Sequence, residues 1–319
     1  MRAVMSKDGD VFVVDAPIPT VDDGSQSVIV HVTNSGICGS DLHMVSMGVH
    51  GVILGHEFGG YLDDGRLVAV RPTGHCGHCS SCSTGNPNRC IEATTKLHGG
   101  FINGGLADHV LVEPSRLVEM PTGATEESVA MVEPLAVALH GVNRVALQPH
   151  HNVLVVGGGS IGLFASIAVM NKGCQVHVVT RHDHQRHAAE FLGAIPVDSA
   201  SVEHSAYDFV FDAAATQSAF DLAVNAARPG GTIVEFGMFW DPIALHNPVM
   251  FKELTIVPAM YYSHSHEDAD FETAARLVVA QPRISEVLVT HRFGLSDAKE
   301  AFAVANNRSA GAIKVHVHP

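Results

Sequence analysis

A run of four apolar residues, Val153-Leu154-Val155-Val156, leads directly into Gly157-Gly158-Gly159-Ser160-Ile161-Gly162 and then into a helical pattern. No other stretch leaves so few folds open. A short, continuously apolar run suits a parallel strand buried on both faces. The glycines satisfy G-x-G-x-x-G, which is weak alone and credible only between a strand and a helix. Gly157 permits the tight turn, Gly159 lets the backbone approach a pyrophosphate, and Gly162 lets helix and strand pack closely. The helix opening at Ser160 and Ile161 offers free N–H groups and a positive dipole end to that anion.

The stretches around this motif alternate strand and helix as a doubly wound α/β domain requires. Helices are expected over Ile161–Asn171, His184–Leu192 and Gln217–Ala227. Strands are expected over Val176–Val179, Asp208–Asp212 and Thr232–Phe236, the last after a Pro229-Gly230-Gly231 turn. The second strand indicates which dinucleotide binds. An NAD site places an acid about twenty residues after the glycines, on the ribose 2′-hydroxyl. Here Thr180 stands at that place, followed by Arg181, with Arg186 about a turn into the next helix. A hydroxyl plus guanidinium suits a 2′-phosphate, which an acid would repel. NADP is therefore expected; NAD bound without the acid is the alternative.

The first third of the chain reads differently. Val11–Val14, Val28–Val32, Leu67–Val70 and His109–Val112 are strand-like, with Pro17, Pro19 and Asp22-Asp23-Gly24 as turns. An all-β domain over 1–121 is expected, with a loop-rich insertion over 73–105. That insertion carries Cys76-x2-Cys79-x2-Cys82-x7-Cys90. Four thiolates at this spacing suit a closed, structural zinc site, with free thiols or a disulfide pair as the alternative. The intervening residues are polar and need a metal to hold a shape. The sixth cysteine, Cys174, reads as a buried thiol without a role.

A second donor-rich stretch runs from Cys38 through Ser40, Asp41 and His43 to His56 and Glu57. Thiolate, imidazole and carboxylate together suit a zinc site with an open position. Cys38 and His56 are natural ligands. Glu57 adjoins His56, and neighbouring side chains in extended backbone diverge, so Glu57 is expected beside the metal or exchanging with water. Glu133 is the candidate third ligand, expected at a bend before Pro134, with a helix over Leu135–Val145.

Composition limits the partners. The net charge of the 319 residues is −14 with 22 histidines counted neutral, which argues against nucleic acid and against an anionic membrane surface. Most of those histidines, among them His264 and His266, are expected to be exposed and without a role. No apolar run reaches the length of a membrane span, and the N-terminus has no signal-peptide core. A cytoplasmic location is expected.

With these residues in view, the chain resembles the zinc-dependent medium-chain alcohol and polyol dehydrogenases over essentially its whole length. The residues carrying the likeness are Cys38-Gly39-Ser40-Asp41-Leu42-His43, Gly55-His56-Glu57, the four-cysteine lobe, Glu133-Pro134-Leu135, Gly157–Gly162 and Gly311-Ala312-Ile313-Lys314-Val315. Glu133-Pro134-Leu135 looks like the sorbitol and threonine dehydrogenase branch. The resemblance implies an α/β fold class: a GroES-like β domain over 1–121, completed by 260–319, around a doubly wound parallel-sheet Rossmann domain over 122–259. It implies catalytic zinc on Cys38, His56 and Glu133 with Glu57 close by, one structural zinc per chain, and a homodimer or homotetramer. It further implies reversible oxidation of a secondary alcohol or polyol, with Ser40 relaying a proton and His43 behind it toward solvent. A zinc-independent enone or quinone reductase, or a non-enzymatic NADPH-binding protein, are the competing readings. Compared with the family, the link from Cys38 to His56 is short, and Met260-Tyr261-Tyr262 occupies the place where the sorbitol branch has an arginine near the polyol, which suggests an aromatic cleft.

Overall fold

The structure, a computed structural model, describes residues 1–263, 269–307 and 309–319. His264, Ser265 and His266 lie outside the described residues. The chain divides into two compact units, Met1–Glu133 with Ser263–Pro319, and Pro134–Tyr262.

In the first unit, alternating apolar residues build strands β1 (Arg2–Lys7), β2 (Asp10–Asp15), β3 (Val28–Ile37), β4 (Glu57–Tyr61), β5 (Leu67–Val70), β6 (His109–Val112) and β7 (Leu117–Glu119). In the second, β8 (Val153–Val156), β9 (Val176–Val179), β10 (Ile195–Val197), β11 (Tyr207–Asp212), β12 (Ala227–Glu235) and β13 (Thr255–Pro258) follow. The chain then returns to the first unit for β14 (Val289–Gly294) and β15 (Lys314–His318).

The first unit's larger sheet runs β14-β15-β3-β4-β5-β7, with β6 also on β3, while β1 and β2 form a separate hairpin. Strand β15 pairs antiparallel with the end of β3, Val315 opposite Ile37. Val30, Phe58, Val68 and Val110 form one core, and Leu54, Leu106, Phe302 and Val315 another. Each fully buried apolar side chain of this size contributes about 1.5–3 kcal/mol. Glycine at 36 is required by close approach: a Cβ there would stand 2.2 Å from the Glu57 carboxylate on β4.

The second unit's sheet has the order β10-β9-β8-β11-β12-β13, all parallel. Counted within the unit this is 3-2-1-4-5-6, the order of a Rossmann domain. Leu154, Val156, Val210 and Ile233 are buried in it, as strands covered on both faces require. At the carboxyl ends of β11 and β12, Asp212 and Glu235 are register partners, and both are buried. Asp212 Oδ1 accepts from the Ala214 and Ala215 N–H groups, at 2.8 and 3.1 Å. Its Oδ2 and both Glu235 oxygens have no hydrogen-bond partner. Burial, and then the Asp212 charge, push Glu235 up to about 8.

Three expectations are corrected. Glu133 is not at a bend: the helix runs Val132–Asn143, and a 3₁₀ turn over Ser128–Met131, held by Thr125, feeds straight into it. Pro134 sits in the first helical turn, where its missing N–H costs nothing. That 3₁₀ turn packs on β3, β4 and β5, so the first unit extends to Glu133 rather than to 121. Finally, Pro229-Gly230-Gly231 is not a turn before a strand. It is an irregularity inside β12, where the pairing slips between Tyr207–Ala227 and Phe209–Thr232.

Candidate functional site

Cys38 is the N-cap of the helix Gly39–Ser46, His56 precedes β4, and Glu57 begins it. Donor atoms of the three lie within 4.8 Å of one another. The element that organises them is Asp41, in the first turn of that helix. Its Oδ2 accepts the Cys38 backbone N–H at 2.9 Å, and its Oδ1 meets His56 Nδ1 at 3.0 Å. Asp41 is fully buried. A carboxylate on Nδ1 fixes the imidazole tautomer and leaves Nε2 as the donor toward a metal. Burial alone would lower the His56 pKa, but the charge and hydrogen bond of Asp41, followed by Cys38, hold it well above the usual imidazole range. The sequence reading places Asp41 in the donor-rich stretch but gives it no role, although an acid three positions after a ligand cysteine is a readable signal.

Glu57 reaches the same centre yet is claimed by another chain segment. Lys314 Nζ, on β15, bonds its two carboxylate oxygens at 2.8 and 2.7 Å, and both side chains are buried. Burial lowers the Lys314 pKa, and the Glu57 charge outweighs it, leaving the ammonium raised. An ion pair without water is stable only with such geometry. Lys314 was missed as a site residue because it lies far from Glu57 in sequence. Its one signal was a lysine between the apolar Ile313 and Val315.

Glu133 is buried in the first turn of its helix. Burial pushes its pKa up to about 7, with His56 and Lys314 opposing and Glu57 and Asp41 adding to it. Its carboxylate is not among the donor atoms gathered within 4.8 Å of one another, which come from Cys38, His56 and Glu57. A soft sulfur, an oriented imidazole nitrogen and buried carboxyl oxygens are the donor set of a zinc ion with an open position, and these residues fit one. Ser40 Oγ stands 3.3 Å from His56 Nε2, and His43, three residues on along the same helix, is exposed.

The cysteines Cys76, Cys79, Cys82 and Cys90 have sulfurs within 4.8 Å of one another. Backbone N–H groups point at them: Cys76 N–H to Cys90 Sγ and Cys79 N–H to Cys76 Sγ, each 3.3 Å, and Glu92 N–H to Cys90 Sγ, 3.4 Å. The backbone N–H of Cys82 is the largest influence lowering Cys79 to about 6, while burial pushes Cys82 up to about 12. Four clustered sulfurs with N–H donors around them fit a closed tetrahedral zinc site. Cys174 is buried, its thiol donating to the Gln148 carbonyl at 3.2 Å.

In the second unit, Gly157 holds φ at +107°, and a Cβ at Gly162 would stand 1.7 Å from the Gly157 oxygen. The Gly159 position is open, with nothing within 4 Å of its would-be Cβ. The helix Ser160–Asn171 starts there. Ser160 Oγ and Thr180 Oγ1 are both buried and have no hydrogen-bond partner. Open backbone, free helix N–H groups and two orphaned hydroxyls fit a dinucleotide at this end of the sheet. Gln185 accepts the Arg181 N–H at 3.0 Å. Arg186 is paired with Asp198 at 2.8 Å, whereas Arg181 is exposed and makes no ion pair among the described residues.

Comparison with known proteins agrees with this geometry. Residues 24–122 match a family model described as the alcohol dehydrogenase GroES-like domain, and residues 160–280 match one described as zinc-binding dehydrogenase. The chain is 30% identical to L-idonate 5-dehydrogenase of Vitis vinifera, over 92% of this chain and 88% of that one. It is similar to a zinc-binding dehydrogenase-type structure from Sinorhizobium meliloti 1021 bound to NADP, at 27% identity, TM-score 0.89, covering 100% and 99% of the two chains. It is also similar to an Escherichia coli CFT073 alcohol dehydrogenase complexed with NADH, at 25% identity, TM-score 0.88, covering 100% and 99%.

Proposed function

Since the chain belongs to the zinc-dependent medium-chain alcohol and polyol dehydrogenase family, we propose that it oxidises a secondary alcohol or polyol reversibly to the carbonyl compound, with NADP as cofactor. The observation that carries this is the gathering of Cys38, His56 and Glu57 within 4.8 Å, with Asp41 fixing both Cys38 and His56. Cys38, His56 and Glu133 would hold the catalytic zinc with Glu57 alongside. Cys76, Cys79, Cys82 and Cys90 would hold a structural one.

When bound, the catalytic zinc supplies a Lewis acid for the alcohol oxygen and the nicotinamide supplies a hydride acceptor. The chain's own residues do the rest. Ser40 relays the alcohol proton, its oxygen taking that proton as its own hydroxyl proton leaves, and the exposed His43 takes the released proton on to solvent. Asp41 keeps the imidazole of His56 in the tautomer a metal needs. Lys314 bonds both oxygens of Glu57 and holds that side chain beside the centre.

Several features support NADP. Thr180 places a neutral, unpartnered hydroxyl where an acid would repel a 2′-phosphate, and the exposed Arg181 makes no ion pair among the described residues, whereas Arg186 pairs with Asp198. Related structures carry either NADP or NADH, so these side chains must decide. Gly157, Gly159, Ser160, Ile161 and Gly162 would take the pyrophosphate. A homodimer or homotetramer is supported by the outer strand β13 of the second unit's sheet and by the exposed Met250 and Phe251 just before it.

The test is a panel of alcohols and sugars with both cofactors, followed by nicotinamide absorbance, together with metal analysis. Turnover of secondary alcohols with two zinc ions per chain is expected. No turnover across the panel, or a single zinc per chain, would reject the assignment. Arg181→Ala should raise the KM for NADP far more than that for NAD.

A further inference from the structure

Away from both cysteine sites, two histidines face each other across the first unit's sheet. His31 on β3 and His109 on β6 are direct antiparallel partners. Their Nδ1 atoms are 3.1 Å apart, and the ring centroids are 4.9 Å apart with the planes at 89°. Two opposed residues of adjacent strands project to the same face, so the strand register alone brings the two rings together.

A third residue sets the chemistry. Asp63 Oδ1 lies 2.7 Å from His31 Nε2, on the far side of the ring from His109. In a neutral imidazole that contact places the proton on Nε2, donated to Asp63, and leaves a lone pair on Nδ1. The lone pair is aimed at His109. Burial, and then the neighbouring His31, hold His109 below the usual imidazole range, while Asp108 works in the opposite sense.

The distances say what fits between them. Two bonds of about 2.0 Å from one divalent transition-metal ion, at angles between square and tetrahedral, place their nitrogen donors about 2.8–3.3 Å apart. The 3.1 Å between the two Nδ1 atoms falls within that range. The His31 side chain is 45% exposed, so water can complete the coordination.

We propose that His31 and His109, oriented by Asp63, form a surface site for a divalent first-row transition-metal ion, separate from the two zinc centres. Imidazole pairs take zinc, nickel and copper, with copper(II) bound most tightly at a given site. A metal here would clip β6 to β3. The site stands on its own geometry and does not depend on the proposed dehydrogenase activity.

Nickel(II) is the probe. Untagged, zinc-saturated protein is dialysed against nickel, and nickel and zinc per chain are measured. Wild type should gain one nickel with its zinc content unchanged. His109→Gln and His31→Gln should each weaken nickel binding at least about tenfold, and Asp63→Asn about tenfold, as loss of an orienting carboxylate does at metal-bound histidines. Dehydrogenase turnover should be the same in all three. Copper(II) bound to wild type should show hyperfine splitting from two nitrogens, a reading that needs no variant to fold. Absence of nickel uptake, uptake equal in wild type and His109→Gln, or a copper signal without nitrogen splitting would overturn the proposal; an Nδ1–H···Nδ1 hydrogen bond would then account for the contact.

Discussion

Glu235 is an acid that the second unit has to keep neutral, and replacing it with glutamine should make that visible. Both of its oxygens are buried and unpartnered, and its register partner is another acid, Asp212. Its pKa rises from 4.5 to about 8. In the unfolded chain Glu235 ionises near its ordinary value; in the folded chain it keeps its proton until about pH 8. Between those two points the folded state holds one more proton, so the stability that is full below 4.5 is lost as pH rises. At about 1.4 kcal/mol per pH unit the whole effect is at most about 5 kcal/mol, and about 2–3 kcal/mol between pH 6 and 8. Glu235→Gln carries no ionisation and keeps the size of the side chain. The variant should match wild type near pH 5 and exceed it increasingly up to pH 8. Trp240, the sole tryptophan, lies in this unit and reports its unfolding in urea by fluorescence. Wild-type and Glu235→Gln stabilities that run parallel across this pH range would refute the reasoning, because only a titrating Glu235 separates them.

Other substitutions probe the first unit. Asp41→Asn should weaken catalytic zinc about 10–100-fold, measured by competition with a chelator; unchanged affinity would remove Asp41 from its orienting role. Lys314→Met leaves Glu57 as a buried, uncompensated charge and should cost about 3–5 kcal/mol in urea unfolding followed by circular dichroism. A midpoint equal to that of wild type would show that Glu57 finds another partner. Cys82→Ser should lower the zinc content by one ion per chain while NADPH binding persists, since the cysteine lobe and the glycine motif lie in different units. Loss of both zinc ions would contradict their independence.

The fold was legible where local chemistry and tertiary structure agree. The apolar run before Gly157 could only be an interior strand, and the glycines after it left one kind of turn. Glu133-Pro134 misled because a proline was read as a break, whereas a 3₁₀ turn already points the chain into the helix. Pro229-Gly230-Gly231 misled in the same way, since a parallel strand can absorb such residues as an irregularity when its neighbours hold the register. In the site, Cys38, His56 and Glu57 were readable as donors from their element types. The orienting role of Asp41 and the part of Lys314 were not, because each acts on a neighbour rather than offering an obvious ligand. Lys314 in particular meets Glu57 only because β15 lies along β3. The facing pair His31 and His109 was invisible for the same reason: strand register, not spacing, makes it.

Strand β15 has one more consequence, and it concerns synthesis. The ribosome makes β14 and β15 only after the whole of Pro134–Tyr262 has emerged. Until then β3 lacks one of its neighbours and Glu57 lacks its ammonium. The middle of the polypeptide can therefore finish folding while the part translated first is still waiting for its wall. Nascent chains arrested before Val289 should be cut by protease within residues 28–61, and the released protein should resist.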